Sequence, residues 1–181
     1  MKARIATTGL LLAALAACSP TSDAPPPATN AETTASAPPP AAASAKPQGD
    51  CDLFSAEELS QAFDGRLRVH RAGGRGGRGS GCTYSLAGLE ESQLVLQAGG
   101  PEQFDARKQS YSGQSGVAME PLDLGREAWL VNKAQVIAVR EDGGSVSLGL
   151  QLITFDQEPP VDESQARAGL EELARLALER L

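Results

Sequence analysis

The sequence predicts an α+β domain with a mostly antiparallel sheet and about three helices, carried at the end of a stretch that does not fold. Three observations lead there. A capping box opens a first helix at Ser55, a long alternating run at 145–154 reads as a half-buried strand, and an Ala/Leu-striped helix closes the chain. Between them the pattern runs helix then strands, twice over, then a last helix, which suggests a pseudo-duplicated helix-then-strands unit. Sequence identity between the two halves is too weak to establish a repeat.

The elements follow in order. In Ser55-Ala56-Glu57-Glu58 the Ser hydroxyl can accept from the Glu58 amide while the Glu58 carboxylate reaches back; Phe54 and Leu59 are spaced as a hydrophobic staple, and Asp64-Gly65 supplies a stop. Short β candidates come next at Arg66–Arg71, Cys82–Leu86 and Gln93–Ala98. Gly100-Pro101 opens a second helix through about Tyr111, with proline where its missing N–H costs nothing. Further strands are expected around Val117–Glu120, Glu127–Val131, Gln135–Arg140 and Ser145–Thr154, with hairpin turns at Asn132-Lys133 and Asp142-Gly143-Gly144. In the last strand Val146, Leu148, Leu150 and Leu152 alternate with Ser, Gly and Gln. The final helix runs from near Asp162 to Leu181 and lines Ala166, Leu170, Leu173, Ala177 and Leu181 along one face.

The amino-terminal residues belong to targeting rather than to the fold. Lys2 and Arg4 precede an apolar run, Ile5 to Ala17, too short to span a bilayer comfortably. It ends in Leu15-Ala16-Ala17-Cys18, which resembles the lipobox of bacterial lipoproteins. That resemblance implies cleavage before Cys18, a diacylglycerol on its sulfur and acylation of the new terminus; an ordinary secretory signal with a chance cysteine is the alternative. Two or more chains, at about 0.8 kcal/mol per buried CH₂, hold a protein stably on its membrane. Ser19 occupies the place where an Asp tends to signal inner-membrane retention in diderm bacteria, so an outer-membrane anchor facing the periplasm is expected if the source has two membranes. Residues 18–50 then form a tether of Ala, Pro, Ser and Thr, with proline runs at Pro25–Pro27 and Pro38–Pro40. It lacks the large apolar groups that would repay the entropy of folding, and proline extends it at roughly 3 Å per residue. One domain, 51–181, remains.

The chain carries a formal charge of −7, and residues 1–50 hold three basic and three acidic side chains, so the domain carries all of it. That acidity argues against nucleic acid or a bare anionic membrane as partner. With Cys18 lipidated, Cys51 and Cys82 are left to pair as a structural disulfide; a redox-active pair is the alternative, unsupported by any C-x-x-C spacing. Closing a loop of that length constrains the unfolded chain by roughly 3–4 kcal/mol.

Cys51-Asp52-Leu53-Phe54-Ser55-Ala56-Glu57-Glu58-Leu59, the later Gly81-Cys82-Thr83-Tyr84 and the Ala/Leu-rich last helix resemble a family of small bacterial cell-envelope lipoproteins. These carry a domain of unknown function with a Cys-x-Leu-Leu-Thr-type first helix and a later Cys-x-Tyr or Cys-x-Trp strand. Phe54 and Ser55 depart conservatively from that pattern, and the Gly/Arg run before Cys82 departs further. The resemblance supports the disulfide and the α+β class and brings no catalytic residues.

Gly74-Arg75-Gly76-Gly77-Arg78-Gly79 satisfies G-x-G-x-x-G, but a dinucleotide site needs a helix after it and a strand follows here. The same stretch concentrates cations: Arg71, Arg75 and Arg78, with Arg66 and Arg68 before them, could grip an anionic envelope partner, against the simpler reading of a solvated Gly/Arg loop. His70 is the only histidine, so neither a Cys-His nor a supported Ser-His-Asp arrangement exists, and no His/Cys cluster suits a metal. The carboxylate pairs Glu57-Glu58, Glu90-Glu91, Glu141-Asp142 and Glu171-Glu172 read as solvated charges, and Trp129 as core rather than a binding platform. The expectation is a non-catalytic envelope lipoprotein, without cofactor, whose domain binds another envelope protein or ligand. A carboxylate-dependent hydrolase and a structural spacer are the rivals.

Overall fold

The computed structural model describes residues 47–181 apart from 72, 75, 76 and 78. The signal segment, Cys18, most of the tether and the arginines at 75 and 78 lie outside the described residues. A 3-10 turn, Asp50–Asp52, leads into α1 (Ala56–Gln61), β1 (Val69–Arg71), β2 (Cys82–Leu86), β3 (Leu89–Gly99) and α2 (Pro101–Ser112). Then come β4 (Met119–Leu122), β5 (Glu127–Val131), β6 (Gln135–Val139), β7 (Ser145–Gln151) and α3 (Glu163–Arg180).

The strands make one seven-stranded sheet in the order β1-β2-β3-β7-β6-β5-β4, every neighbour antiparallel. Each half is a meander, with β1 and β2 joined by the longer segment 72–81 and the other neighbours by short turns, and the two meet where β3 pairs β7 from Gln93↔Gln151 to Gly99↔Ser145. The α+β class expected from the sequence is therefore the one observed.

Alternation along the strands decides the layers. Leu94, Leu96, Ala98, Leu130, Val136, Ala138, Val146, Leu148 and Leu150 point to one face, where α1, the turn after it and α3 cover them with Leu59, Phe63, Leu170, Leu173 and Ala177. β6 is apolar on both faces, and its other side chains, Ile137 and Val139, join Val131 and Phe104 of α2 in a second, smaller cluster. Over β2 and β3 that second face is uncovered, so Thr83, Ser85, Gln93 and Val95 reach solvent or lie half-buried.

Local signals place the helices. Ser55 and Glu58 form the capping box, with Ser55 Oγ accepting from the Glu58 amide at 3.2 Å and the Ser55 amide donating to Glu58 Oε2 at 2.9 Å. Asp162 caps α3 by accepting from the Gln165 amide at 2.9 Å.

Several boundaries differ from expectation. β3 starts at Leu89 rather than Gln93, because its pairing with β2 continues back to Leu89 opposite Leu86, and β7 ends at Gln151 rather than Thr154, where its pairing with β3 ends. β1 starts at Val69 rather than Arg66, because Leu67 is buried in a bend before it. β4 lies at Met119–Leu122, not 117–120, and includes Pro121; as the sheet's edge it pairs only with β5, so the missing proline N–H forfeits no ladder bond. The domain also begins before Cys51. Asp50, read as the end of the tether, is 1% exposed, and its carboxylate accepts from the amides of Gly79 (3.0 Å), Gly81 (2.8 Å) and Ala98 (3.3 Å). Gly79 and Gly81, at φ 82° and 79°, adopt the left-handed conformation that presents those amides to it. Beside this cradle Cys51 and Cys82 are joined as a disulfide, their Cα atoms 5.1 Å apart.

Candidate functional site

The feature with the geometry of a binding site is a cleft between α2 and the half-covered face of the sheet. Helix α2 turns Phe104, Arg107, Lys108 and Tyr111 towards the strands, the i, i+3, i+4, i+7 spacing of one helical face. Only Phe104 in that stripe is buried, at 2% exposure; the other three reach the sheet through polar ends. Lys108 pairs with Glu127 and lies 5.5 Å from the Trp129 ring centroid, while Trp129 Nε1 donates to Glu127 Oε1 at 2.7 Å. Lys108 first, then the indole N–H, hold the Glu127 carboxyl below its usual pKa. Trp129 is thus half-buried in a polar clamp at the edge of the second apolar cluster.

On the side of α2 towards β3 the structure opens. Tyr111 Oη donates to Gln135 Oε1 at 2.8 Å, and Gln135 Nε2 donates to Ser147 Oγ at 2.8 Å. Arg107 Nη2 donates to Gln97 Oε1, and Gln97 Nε2 donates to the Gly79 carbonyl at 3.1 Å. These two chains of hydrogen bonds fix the polar walls, and Val95, Val117 and Val131 supply apolar surface between them. The floor follows the register Val95↔Gly149↔Gln135↔Val131 across four strands. The absent side chain at Gly149 deepens it. A Cβ built there would come no closer than 3.8 Å to Gln135 Cγ, so packing does not demand glycine at this position. The cleft measures about 420 Å³, and among the described residues its lining includes one cation, Arg107, and no Asp, Glu or His. That size lies in the range usual for small-molecule sites.

A second hollow of about 400 Å³ lies between the end of β7 and the start of α3, with Leu150, Leu152, Val161 and Ala166 inside and a Lys133–Glu163 ion pair (2.9 Å) at its rim. Near it Phe155, 80% exposed, is held at φ 46°.

The residues singled out in the sequence are scattered. Arg71 lies in β1; His70 is exposed beside it, opposite Ser85; Arg66 and Arg68 are exposed before the strand. The carboxylate pairs do not converge: Glu58 joins Arg180, Asp142 joins Arg140, Glu171 and Glu172 join Arg167 and Arg175, and Glu90 and Glu91 are exposed on β3. Among the described residues no group of His, Cys, Asp or Glu is arranged to hold a metal, and no helix is long and apolar enough to cross a membrane.

Sequence reasoning missed the cleft residues Gln97, Arg107, Tyr111, Gln135 and Gly149. The available signal was the outward series Ser145, Ser147, Gly149 and Gln151 on β7, a polar face on a strand at the middle of the sheet.

No family model, curated protein or solved structure matches this chain. The cleft must therefore be read from its own chemistry, and the resemblance to envelope lipoproteins rests on the residues that carry it.

Proposed function

We propose that this chain is a lipid-anchored envelope protein whose domain is a non-catalytic binding module, with the cleft beneath α2 as the site that receives an envelope ligand. One observation carries the reading: the cleft's hydrogen-bonding side chains are held by one another in two fixed networks over an open floor. Such an arrangement is organised before a ligand arrives, so binding costs little ordering of side chains. A carboxylate hydrolase would need acids converging on its substrate, and among the described residues none lines the cleft. A spacer has no use for a concave polar site.

Gly149→Val tests the site. The strand gains a β-branched residue and keeps its packing, while the cleft loses its floor. Thermal stability is expected to hold or rise, and retention of envelope components by the immobilised chain to fall at least tenfold. Unchanged retention by a stable variant would remove the cleft from the function. The anchor is tested separately: Cys18→Ala should move the chain from the membrane fraction to the soluble one. On the loop, replacing Arg71, Arg75 and Arg78 together by Ala should lose any partner held by those cations. An unchanged set of partners would end that part of the reading.

A further inference from the structure

Arg107 differs both from the exposed arginines Arg66, Arg68 and Arg126 and from the cations of the domain that pair with a carboxylate. Lys108, Lys133, Arg140, Arg167, Arg175 and Arg180 each pair with a carboxylate. Arg107 is half-buried in the wall of the cleft, and its partner there is the neutral oxygen of Gln97. Among the described residues it has no carboxylate partner. Its guanidinium forks several further N–H donors, a shape that matches a carboxylate in a two-point bond. The surroundings narrow the choice. A dianion such as a phosphate monoester would meet, among the described residues, a single positive charge on a domain of net charge −7. A neutral sugar would shield Arg107 from water without giving it a counter-charge. A cationic side chain on the ligand would find no acid among the described lining residues. The uncharged groups of Gln97, Gln135, Ser147, Asn132 and Tyr111 offer amides and hydroxyls at hydrogen-bonding reach of a cleft occupant, and Val95 and Val131 offer a small apolar seat.

We infer that the cleft binds a short peptide through its free terminal carboxylate, with Arg107 as the carboxylate anchor and small uncharged side chains preferred. This rests on the cleft being the binding site proposed above and names its ligand class. Gln97 is a positioning residue: its oxygen orients the guanidinium, and its amide is tied to Gly79, itself held by Asp50.

The test is an NMR titration of the isotope-labelled full chain in detergent micelles. The probes are N-acetyl-Ala-Ala with a free carboxylate, its C-terminal amide, and N,N′-diacetylchitobiose as a neutral sugar. The free acid, in its L or D form, is expected to shift the side-chain amide signals of Gln97 and Gln135. Affinity should fall at least tenfold for the amide and for Arg107→Gln, recover partly in Arg107→Lys, and stay the same in Arg175→Gln on the opposite layer. Preference for the L or the D form distinguishes a protein terminus from a peptide of other origin. Equal binding of acid and amide, or binding of the sugar alone at the same signals, overturns the carboxylate assignment and leaves the cleft as a site. If no probe moves any cleft signal, both the ligand class and the site fall.

Discussion

Asp50 shows how much one side chain can organise at the start of a domain. Its buried carboxylate meets amides from two segments, Gly79 and Gly81 on one side and Ala98 on the other. Asp50→Ala leaves those donors without their acceptor, and hydrogen bonds to a charged group contribute on the order of 1.5–3 kcal/mol. A loss of roughly 2–3 kcal/mol in urea denaturation is expected; a change within error would mean that water replaces the carboxylate freely. Glu58 has a different signature. The hydrogen bond from Arg180 first, then that from the Ser55 amide, lowers its pKa from 4.5 to about 2. A carboxyl whose pKa is depressed by folding adds stability at pH above its unfolded value and loses it as pH falls through the folded one. The difference in Tm between wild type and Glu58→Gln should therefore be full at pH 6 and shrink between pH 4.5 and 2. A difference that does not change with pH would assign the effect to shape rather than charge. Asp50 was hidden in the sequence because nothing local marks it: its partners are 29, 31 and 48 positions away.

At the scale of elements, legibility followed the strength of the local pattern. β2 and β5 fall where their alternation puts them, and α3 keeps the face read from its Ala/Leu spacing. β4 was displaced because Pro121 argues against a strand until the strand is known to be an edge. Helix α2 was legible as a helix from Gly100-Pro101, yet its single buried Phe104 does not say which face of the sheet it covers. The cleft depends on that choice, which is why its residues could not be grouped from sequence. α3 owes its fit against the turn that closes α1 to Gly169, where an added Cβ would lie 2.5 Å from two Phe63 ring carbons and 2.7 Å from the Ala62 carbonyl. Two effects oppose each other in Gly169→Ala. Helix propensity favours Ala by about 1 kcal/mol, and overpacking a filled core costs about 1–3 kcal/mol. Phe63 is fully surrounded and the carbonyl is backbone, so the clash should win and Tm should fall in a thermal melt. A rise in Tm would show that α3 and the turn after α1 separate without loss.

Across the whole molecule, the order β1-β2-β3-β7-β6-β5-β4 sets two helix-then-three-strands units on either side of β7. β3 and β6 are both antiparallel to β7, so they run the same way. The rotation relating the units therefore lies along β7 and exchanges the faces of the sheet, which accounts for α1 packing on one face and α2 on the other. α3 then completes the α1 face and leaves the α2 face half open; the cleft is what that uneven covering leaves. Because β3 joins β7 along seven pairs and one apolar cluster runs from Leu53 to Leu178, the two units should unfold together despite their separate turns. The disulfide gives the means to test this, since it lies wholly in the first unit, between Cys51 and Cys82, a separation of 31 residues. Replacing both cysteines with Ser should lower stability by roughly 3–4 kcal/mol through the freed unfolded chain. If the sheet is one cooperative body, hydrogen exchange at the slowest amides of β5 and β6, far from the missing bond, should quicken by the same factor as at β2 and β3. Faster exchange confined to β1–β3 would instead mean that the β3–β7 seam divides the domain and that the second unit, with most of the cleft walls, stands by itself.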